Sequence, residues 1–396
     1  MKPGVLFLDH AGVLGGAELF LLELAARWDG KREVVLFADG PFRERLERAA
    51  VPVAVFHGGG SVASVGRGGR GLAQLRAAPA ILKLAWRVAR HAGNFDVLFA
   101  NSQKALAVGA IAARIAGKPL VWYLHDILSA DHFSALNRKV SVTLGSRFAS
   151  RVIANSEASR EAFIDCGGRA DRTSVVYNGI DSRPFASGQT EDAKRLRAEM
   201  EWGSGPVVGV FSRLAPWKGQ HVMLEALPFV QGLNAVFVGA PLFGDEARYL
   251  DELQAKAREL GVSGRVRFLG FREDIPALLQ AVDFVAHTSV SPEPFGRVIV
   301  EGMLAGKPVV ATRAGGACEI VEDGVTGFLV PPGDASGLAR TLRRLIEEPL
   351  LAARLGLAAR EFASRQFSVE AMLRGIEREM ELAVSERAML SSRAKK

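Results

Sequence analysis

Two stretches far apart in the chain repeat one local pattern, and that repeat constrains the fold more than any other feature. ARIAGKPLVWYLHD and EGMLAGKPVVATRAG each read as a helix, a Gly, a Lys, a Pro and then an apolar strand. Gly117 and Gly306 suit the left-handed turn that ends a helix, and Pro119 and Pro308 prevent its continuation. Around these landmarks short apolar runs alternate with helical patterns. The expected strands of the first half are Val5–Asp9, Val34–Phe37, Val53–Phe56, Val97–Ala100, Leu120–Leu124, Val152–Ala154 and Ser174–Tyr177. Those of the second half are Val207–Phe211, Ala235–Val238, Val266–Leu269, Phe284–Ala286, Val309–Thr312 and Gly327–Val330. Such alternation predicts an α/β chain of parallel, doubly wound sheets with helices on both faces.

A chain of 396 residues exceeds one typical core, so two domains are expected. The polar stretch Asp181–Gly205, with Gly, Ser and Pro at both ends, marks the break. The expected division is 1–182 and 183–374, with a helix over about 375–396 packing back on the first domain. No apolar run reaches the roughly 18 residues of a membrane helix, and no secretory leader is expected. Cys166 and Cys318 give neither a disulfide framework nor zinc spacing, which suits a cytoplasmic, reduced setting. The net charge of +7 sits in the first half: residues 1–184 hold 24 Lys and Arg against 16 Asp and Glu. Charge alone does not make a nucleic-acid binder, and no binding module for one is present.

The chemistry concentrates in SVSPEPFGRVIVEGMLAGKPVV. Glu293 lies on the loop before a helix and Glu301 inside that helix. Between them falls the helix N-terminus, whose unpaired N–H groups and dipole favour an anion. Two carboxylates flanking an anion site suit a ligand with hydroxyls at both ends and phosphates between, such as a nucleotide sugar. The plainer alternative is a turn and an amphipathic helix with solvated charges. A second phosphate signal is GVFSRLAPWKGQHVMLEAL, where Arg213 and Lys218 stand on the loop after a strand. No D-x-D triplet occurs, so these cations, not a metal ion, are expected to neutralise a leaving diphosphate. P-loop, G-x-S-x-G, H-E-x-x-H and strand-borne G-x-G-x-x-G signals are all missing.

Together these motifs resemble glycosyltransferase family 4, the retaining group 1 enzymes of GT-B architecture. The resemblance includes GVLGGAE, His125-Asp126, Asn178-Gly179-Ile180-Asp181, SRLAPWKG, the E-x7-E pair and GGACEIVEDGVTGFLVPPGD. It implies two Rossmann-like domains facing across a cleft. It also implies metal-independent transfer of a sugar from a nucleoside-diphosphate sugar, a substrate and not a cofactor, to a glycan or lipid-linked acceptor. By that resemblance Arg213 and Lys218 hold the diphosphate and Glu301 takes the ribose hydroxyls. Glu293 faces the donor sugar, and Phe295, Gly296 and Arg297 bring backbone amides to it. The Gly15 and Gly16 amides meet the donor from the first domain, and His125 lies near the anomeric carbon. Base choice is expected to depend partly on backbone contacts at Gly270, Phe271 and Arg272, after the Val266–Leu269 strand. Ser212 stands where the family often has Gly.

The acceptor side is less legible. After the Gly-rich segment Gly58–Gly71, which reads as a mobile loop, Arg76, Lys83, Arg87 and Arg90 share one helical face beside Leu82 and Trp86. This face suits an anionic membrane carrying the acceptor, or a merely solvated helix surface. Two rival functions stay open: a noncatalytic nucleotide-sugar-binding subunit and a GT-B nucleotide-sugar epimerase.

Overall fold

The computed structural model describes residues 2–57, 71–131, 133–186, 191–200, 205–241 and 247–393, with backbone only at 71–77, 247, 391 and 393. It divides into two compact units: Met1–Gly179 with Val369–Lys396, and Ile180–Ser368. The division falls three residues before the expected one, and the returning helix begins at Val369 instead of about 375.

Among the described residues unit 1 carries seven strands: β1 Val5–Asp9, β2 Arg32–Leu36, β3 Val53–Val55, β4 Val97–Ala100, β5 Leu120–Leu124, β6 Arg151–Ala154 and β7 Thr173–Val175. Their order is β3-β2-β1-β4-β5-β6-β7, and every pairing is parallel. Both faces are covered, as an all-parallel sheet requires. The alternation is visible along β5. Leu120, Trp122 and Leu124 enter one core cluster, with Phe163 and Leu98. Val121 and Tyr123 enter the other, with Phe7, Phe20 and Phe99. The final helix, Val369–Arg393, closes that second cluster with Met372, Ile376 and Met380. Each such fully buried side chain is worth about 2 kcal/mol of apolar burial before ordering entropy is subtracted. Arg151 donates to Glu379 at 2.7 Å and sets the helix's rotation against β6.

Unit 2 repeats the design with β8 Val207–Phe211, β9 Asn234–Val238, β10 Val266–Phe268, β11 Phe284–His287, β12 Val309–Thr312 and β13 Phe328–Val330. The order is β10-β9-β8-β11-β12-β13, again wholly parallel. β10 stops one residue earlier than expected because Gly270, at φ +67°, turns the chain. In both units the strand order reverses once, between β1 and β4 and between β8 and β11. Open α/β sheets bind ligands at such switch points, beyond the carboxyl ends of the strands.

The two Gly-Lys-Pro landmarks adopt the same turn. Gly117 and Gly306 have φ +66° and +71°. The next N–H, of Lys118 or Lys307, returns to the carbonyl of Ala113 or Gly302 at 3.0 Å. This is the 6→1 bond of a Schellman cap, which satisfies a helix-end carbonyl and hands the chain to the following strand.

Candidate active site

At the unit 2 switch point a carboxylate, an amine and an imidazole converge out of water. Glu293 Oε1 accepts from Lys218 Nζ at 2.5 Å, and Glu293 Oε2 lies 2.5 Å from His287 Nε2. Ser289 Oγ donates to the same oxygen at 3.0 Å, and Thr312 Oγ1 stands 3.3 Å from His287 Nδ1. The Lys218, Glu293 and His287 side chains are only 12%, 14% and 2% exposed. Burial opposes ionisation of Glu293, yet the charges and hydrogen bonds of Lys218 and His287 outweigh it and hold the carboxyl well below the ordinary range.

Local backbone chemistry holds these groups. Gly219, at φ +68°, begins the helix Gln220–Ala226. A Cβ there would meet the Thr288 carbonyl oxygen at 1.9 Å, so only glycine brings the Lys218 loop against the end of β11. Thr288 Oγ1 donates to Lys218 O at 2.9 Å, and Val290 N–H to Trp217 O at 2.8 Å. The Glu293 loop leans on a second glycine pair. Cβ atoms on Gly315 and Gly316 would meet Glu293 O at 2.4 Å and Pro294 O at 2.6 Å. Ser212, the departure from the family pattern, donates no difficulty: Gln220 Nε2 bonds its Oγ at 2.8 Å. The glycine that close approach demands here is Gly239, whose Cβ would lie 2.0 Å from Ser212 O.

Arg213 and Lys218 stack on Trp217, 5.8 and 4.2 Å from the ring centroid. Gly296, at φ +99°, starts the helix Arg297–Leu304 with no side-chain cap of its own, which leaves the first amides uncapped by it. Phe295 is buried and packs edge-on against Phe367 at 5.7 Å, which assigns its side chain to the core. Arg297 Nε donates to Glu301 Oε1 at 2.7 Å, so the second carboxylate of the pair holds an intrahelical ion pair in this state. Phe271 is 61% exposed, whereas Arg272 donates to Asp274 at 2.7 Å.

Unit 1 organises its switch point around an ionised Asp9 and a neutral imidazole, joined by an amide. His125 follows β5, and its Nε2 lies 2.9 Å from Asn101 Oδ1. Asn101 Nδ2 donates to Asp9 Oδ2 at 2.5 Å and to Ala17 O at 3.0 Å. Both amide hydrogens are therefore spent, Oδ1 is the acceptor, and His125 carries its proton on Nε2. Nδ1 is left as the accepting atom. Burial drives the His125 pKa down to about 4, against the attraction of Asp9. Asp9 itself stays ionised: burial opposes this, but His10, Asn101 and the Ala11 amide prevail.

The Gly15-Gly16 loop differs from the expectation. Glu18 is the third residue of the helix Gly16–Arg27 and folds back on the Gly15 backbone N–H, in the manner of a capping box. The Gly15 amide is thus occupied, while a Cβ at Gly16 would meet nothing within 4 Å. Glu18 is 8% exposed, and burial together with Asp9 pushes its pKa up to about 8. Asn178 of the interdomain motif accepts from Tyr123 Oη at 2.9 Å, an anchoring role.

Sequence reasoning missed His287, Ser289, Thr312, Asp9 and Asn101. All five lie at or just after the carboxyl ends of β11, β12, β1 and β4, so the strand ends flanking each switch point were the available signal. Of the cationic face, Lys83 and Arg90 are exposed beside Leu82 and Trp86, while Arg87 lies over the Phe56 ring at 4.6 Å. The side chain of Arg76 and residues 58–70 fall outside the described residues.

Comparison with known proteins identifies the family. Residues 14–183 match the family described as Glycosyltransferase Family 4, and residues 192–362 that described as glycosyl transferases group 1. HepE of Anabaena, solved in complex with UDP-glucose, is 46% identical with a TM-score of 0.85, covering 98% of this chain and 100% of HepE. The lipopolysaccharide core biosynthesis glycosyltransferase LpsE of Rhizobium meliloti (strain 1021) is 39% identical over 167 residues, 42% of this chain and 47% of LpsE. A D-inositol 3-phosphate glycosyltransferase of Mycobacterium sp. (strain KMS) is 36% identical over 268 residues, 64% of this chain and 60% of its own. The matched stretch thus spans about half to three fifths of these two curated relatives. The chain belongs to glycosyltransferase family 4 (glycosyl transferases group 1), with two Rossmann-like units of the GT-B type.

Proposed function

We propose that this chain transfers a sugar from a uridine diphosphate sugar, glucose first among them, to a glycan or lipid-linked acceptor, with retention and without a metal ion. The observation that carries the reading is the buried Lys218–Glu293–His287 cluster at the unit 2 switch point. The donor base and sugar rest on the likeness to HepE, solved with UDP-glucose. A glycan acceptor rests on the likeness to LpsE.

Arg213, Lys218 and the amides that open the helix Arg297–Leu304 take the diphosphate. Fixed positive groups there oppose the charge that develops as the C1–O bond to phosphate breaks. The acceptor oxygen bonds to C1 on the face the diphosphate leaves, and its proton passes to the departing phosphate oxygen. Glu301 turns from Arg297 to the ribose hydroxyls, and Glu293 faces the sugar. In unit 1, His125 Nδ1 accepts from a sugar hydroxyl, and Gly16 offers the open backbone. Catalysis is then positioning plus leaving-group stabilisation.

The exposed Leu82, Lys83, Trp86 and Arg90 of the helix Gly71–His91 support a peripheral membrane reading for a lipid-linked acceptor. Flotation with anionic vesicles, compared between wild type and Lys83→Glu/Arg90→Glu, checks it: equal flotation removes the reading.

The test of the central proposal is product analysis with chelator present. Transfer or slow hydrolysis of UDP-glucose should yield an α-configured product, seen by proton NMR before mutarotation. A β product rejects retention, and loss of turnover on chelation rejects the metal-free mechanism. Binding without turnover across a panel of acceptors favours the noncatalytic subunit.

A further inference from the structure

Unit 1 has a second concave feature at the end of its sheet opposite His125. A cavity of about 320 Å³ is lined by Arg114, Lys118, Arg147, Arg172, Arg387 and Glu386. Lys118 and Pro119 precede β5, Ser150 precedes β6 and Arg172 precedes β7, so it opens at the amino ends of these strands. His125 follows the carboxyl end of β5, roughly 16 Å away along a five-residue strand at about 3.3 Å per residue. Nothing assigned to the donor or to the sugar lies here.

The charge balance is unusual. Among the described residues Arg114, Lys118, Arg147 and Arg172 form no ion pair. The one acid, Glu386, already leans on Arg151, outside the cavity, at 3.6 Å. Arg387 Nε donates to Gly117 O at 3.3 Å and keeps the rest of its guanidinium. A plainer account is that Arg114 and Arg147 neutralise the last turns of the helices Gln103–Ala116 and Ala135–Phe148. Two helix ends supply about one negative charge together. With Glu386 also subtracted, about three positive charges remain around one cavity, offset only in part by the exposed Asp171 beside Arg172, and Lys118 and Arg172 sit on no α-helix. Holding like charges together costs stability unless an anion offsets it. Arginine forks are suited to the oxygens of a phosphate. Phe148 and Leu390 give the cavity an apolar wall, and both are exposed, so the site takes a phosphate that carries an organic substituent.

We propose that this cavity is a binding site for a phosphate-bearing anion, separate from the donor site. Two sources share that chemistry, a free phosphorylated small molecule and a phospholipid headgroup.

The experiment uses the full chain and two probes, inorganic pyrophosphate by calorimetry and vesicles of phosphatidylglycerol in phosphatidylcholine by flotation. Each is measured for wild type, Arg147→Gln/Arg172→Gln, Arg114→Gln/Lys118→Gln and the control Arg340→Gln/Arg354→Gln, which removes the same charge from unit 2. Pyrophosphate could also enter the donor site, so calorimetry is repeated in an Arg213→Ala/Lys218→Ala parent. At least one probe should lose tenfold or more in affinity in both cavity variants and not in the control. Pyrophosphate loss identifies a free anion, and vesicle loss alone identifies a headgroup. Affinities for both probes within twofold of wild type in either cavity variant, or falling equally in the control, overturn the proposal. Circular dichroism keeps an unfolded variant from being read as a loss, and where one cavity variant is unfolded the other alone decides.

Discussion

The two switch points of this molecule occupy equivalent places in sheets of nearly the same order, yet they are built from opposite electrostatics. Unit 1 uses an amide, Asn101, to pass the influence of ionised Asp9 to His125 while keeping the imidazole neutral. Unit 2 sets Glu293 directly against Lys218 and His287 and keeps the carboxyl ionised in spite of burial. The difference follows from contact. An interposed amide transmits hydrogen-bond direction without delivering full charge, whereas a direct pair delivers the charge that offsets desolvation. One fold thereby offers a neutral hydrogen-bonding site at one switch point and an ion-paired one at the other.

The largest expected effect attacks the direct pair. Glu293→Ala leaves Lys218 and His287 buried without their acid, and removing one partner of such a pair costs about 3 kcal/mol. Urea unfolding should show that loss, and a midpoint equal to wild type would mean the cluster is not a buried ion pair. Next comes Lys218→Ala, expected to lower kcat by about 10²-fold or more, near 2.7 kcal/mol. An unchanged kcat removes Lys218 from the leaving-group role. The unit 1 chain should be softer: Asn101→Leu leaves Asp9 short of a donor at about 2 kcal/mol, and it frees the His125 tautomer, visible in the nitrogen shifts of the ring.

Two pH predictions sharpen the contrast. The folded His125 pKa of about 4 lies below the unfolded value near 6.5. Its contribution to stability is therefore complete above about pH 6.5 and is lost as pH falls toward 4. NMR titration should find the His125 ring neutral at pH 6, and a charged ring there would refute the amide relay. Glu18 has the reverse sign, because its folded pKa of about 8 lies above its ordinary carboxylate value. Its contribution is present at low pH and fades as pH rises through 8. Glu18→Gln should thus melt closer to wild type at pH 6 than at pH 9, where the variant becomes the more stable. Melting curves that run parallel across that range would argue against a buried, protonated Glu18.

How far the sequence reaches depends on whether a signal is local. The thirteen expected strands all occur, with shifts of one or two residues at ends such as Thr173 and Phe268, because apolar runs bounded by Gly and Pro are local facts. Gly117 and Gly306 were readable for the same reason. Glu293 was readable as a loop carboxylate just before a helix start, and the structure places it there. What it touches was not: His287 reaches it from β11 and Lys218 from the loop after β8, a meeting that the sheet order alone creates. Glu18 misled in a different way. GVLGGAE suggests free amides, but a Glu three residues past Gly15 claims one of them. Ser212 shows the converse, a departure in sequence that costs nothing because the close approach falls on Gly239.

The central proposal is that Lys218, held at the unit 2 switch point by Glu293, helps to neutralise the leaving diphosphate. Single-turnover kinetics with UDP-glucose in chelator, comparing wild type with Lys218→Ala, tests it most directly. The account predicts that the variant loses about 10²-fold in the rate of C1–O cleavage at saturating donor, a change in kcat and not only in KM. Equal single-turnover rates would contradict it and leave the cluster a structural ion pair.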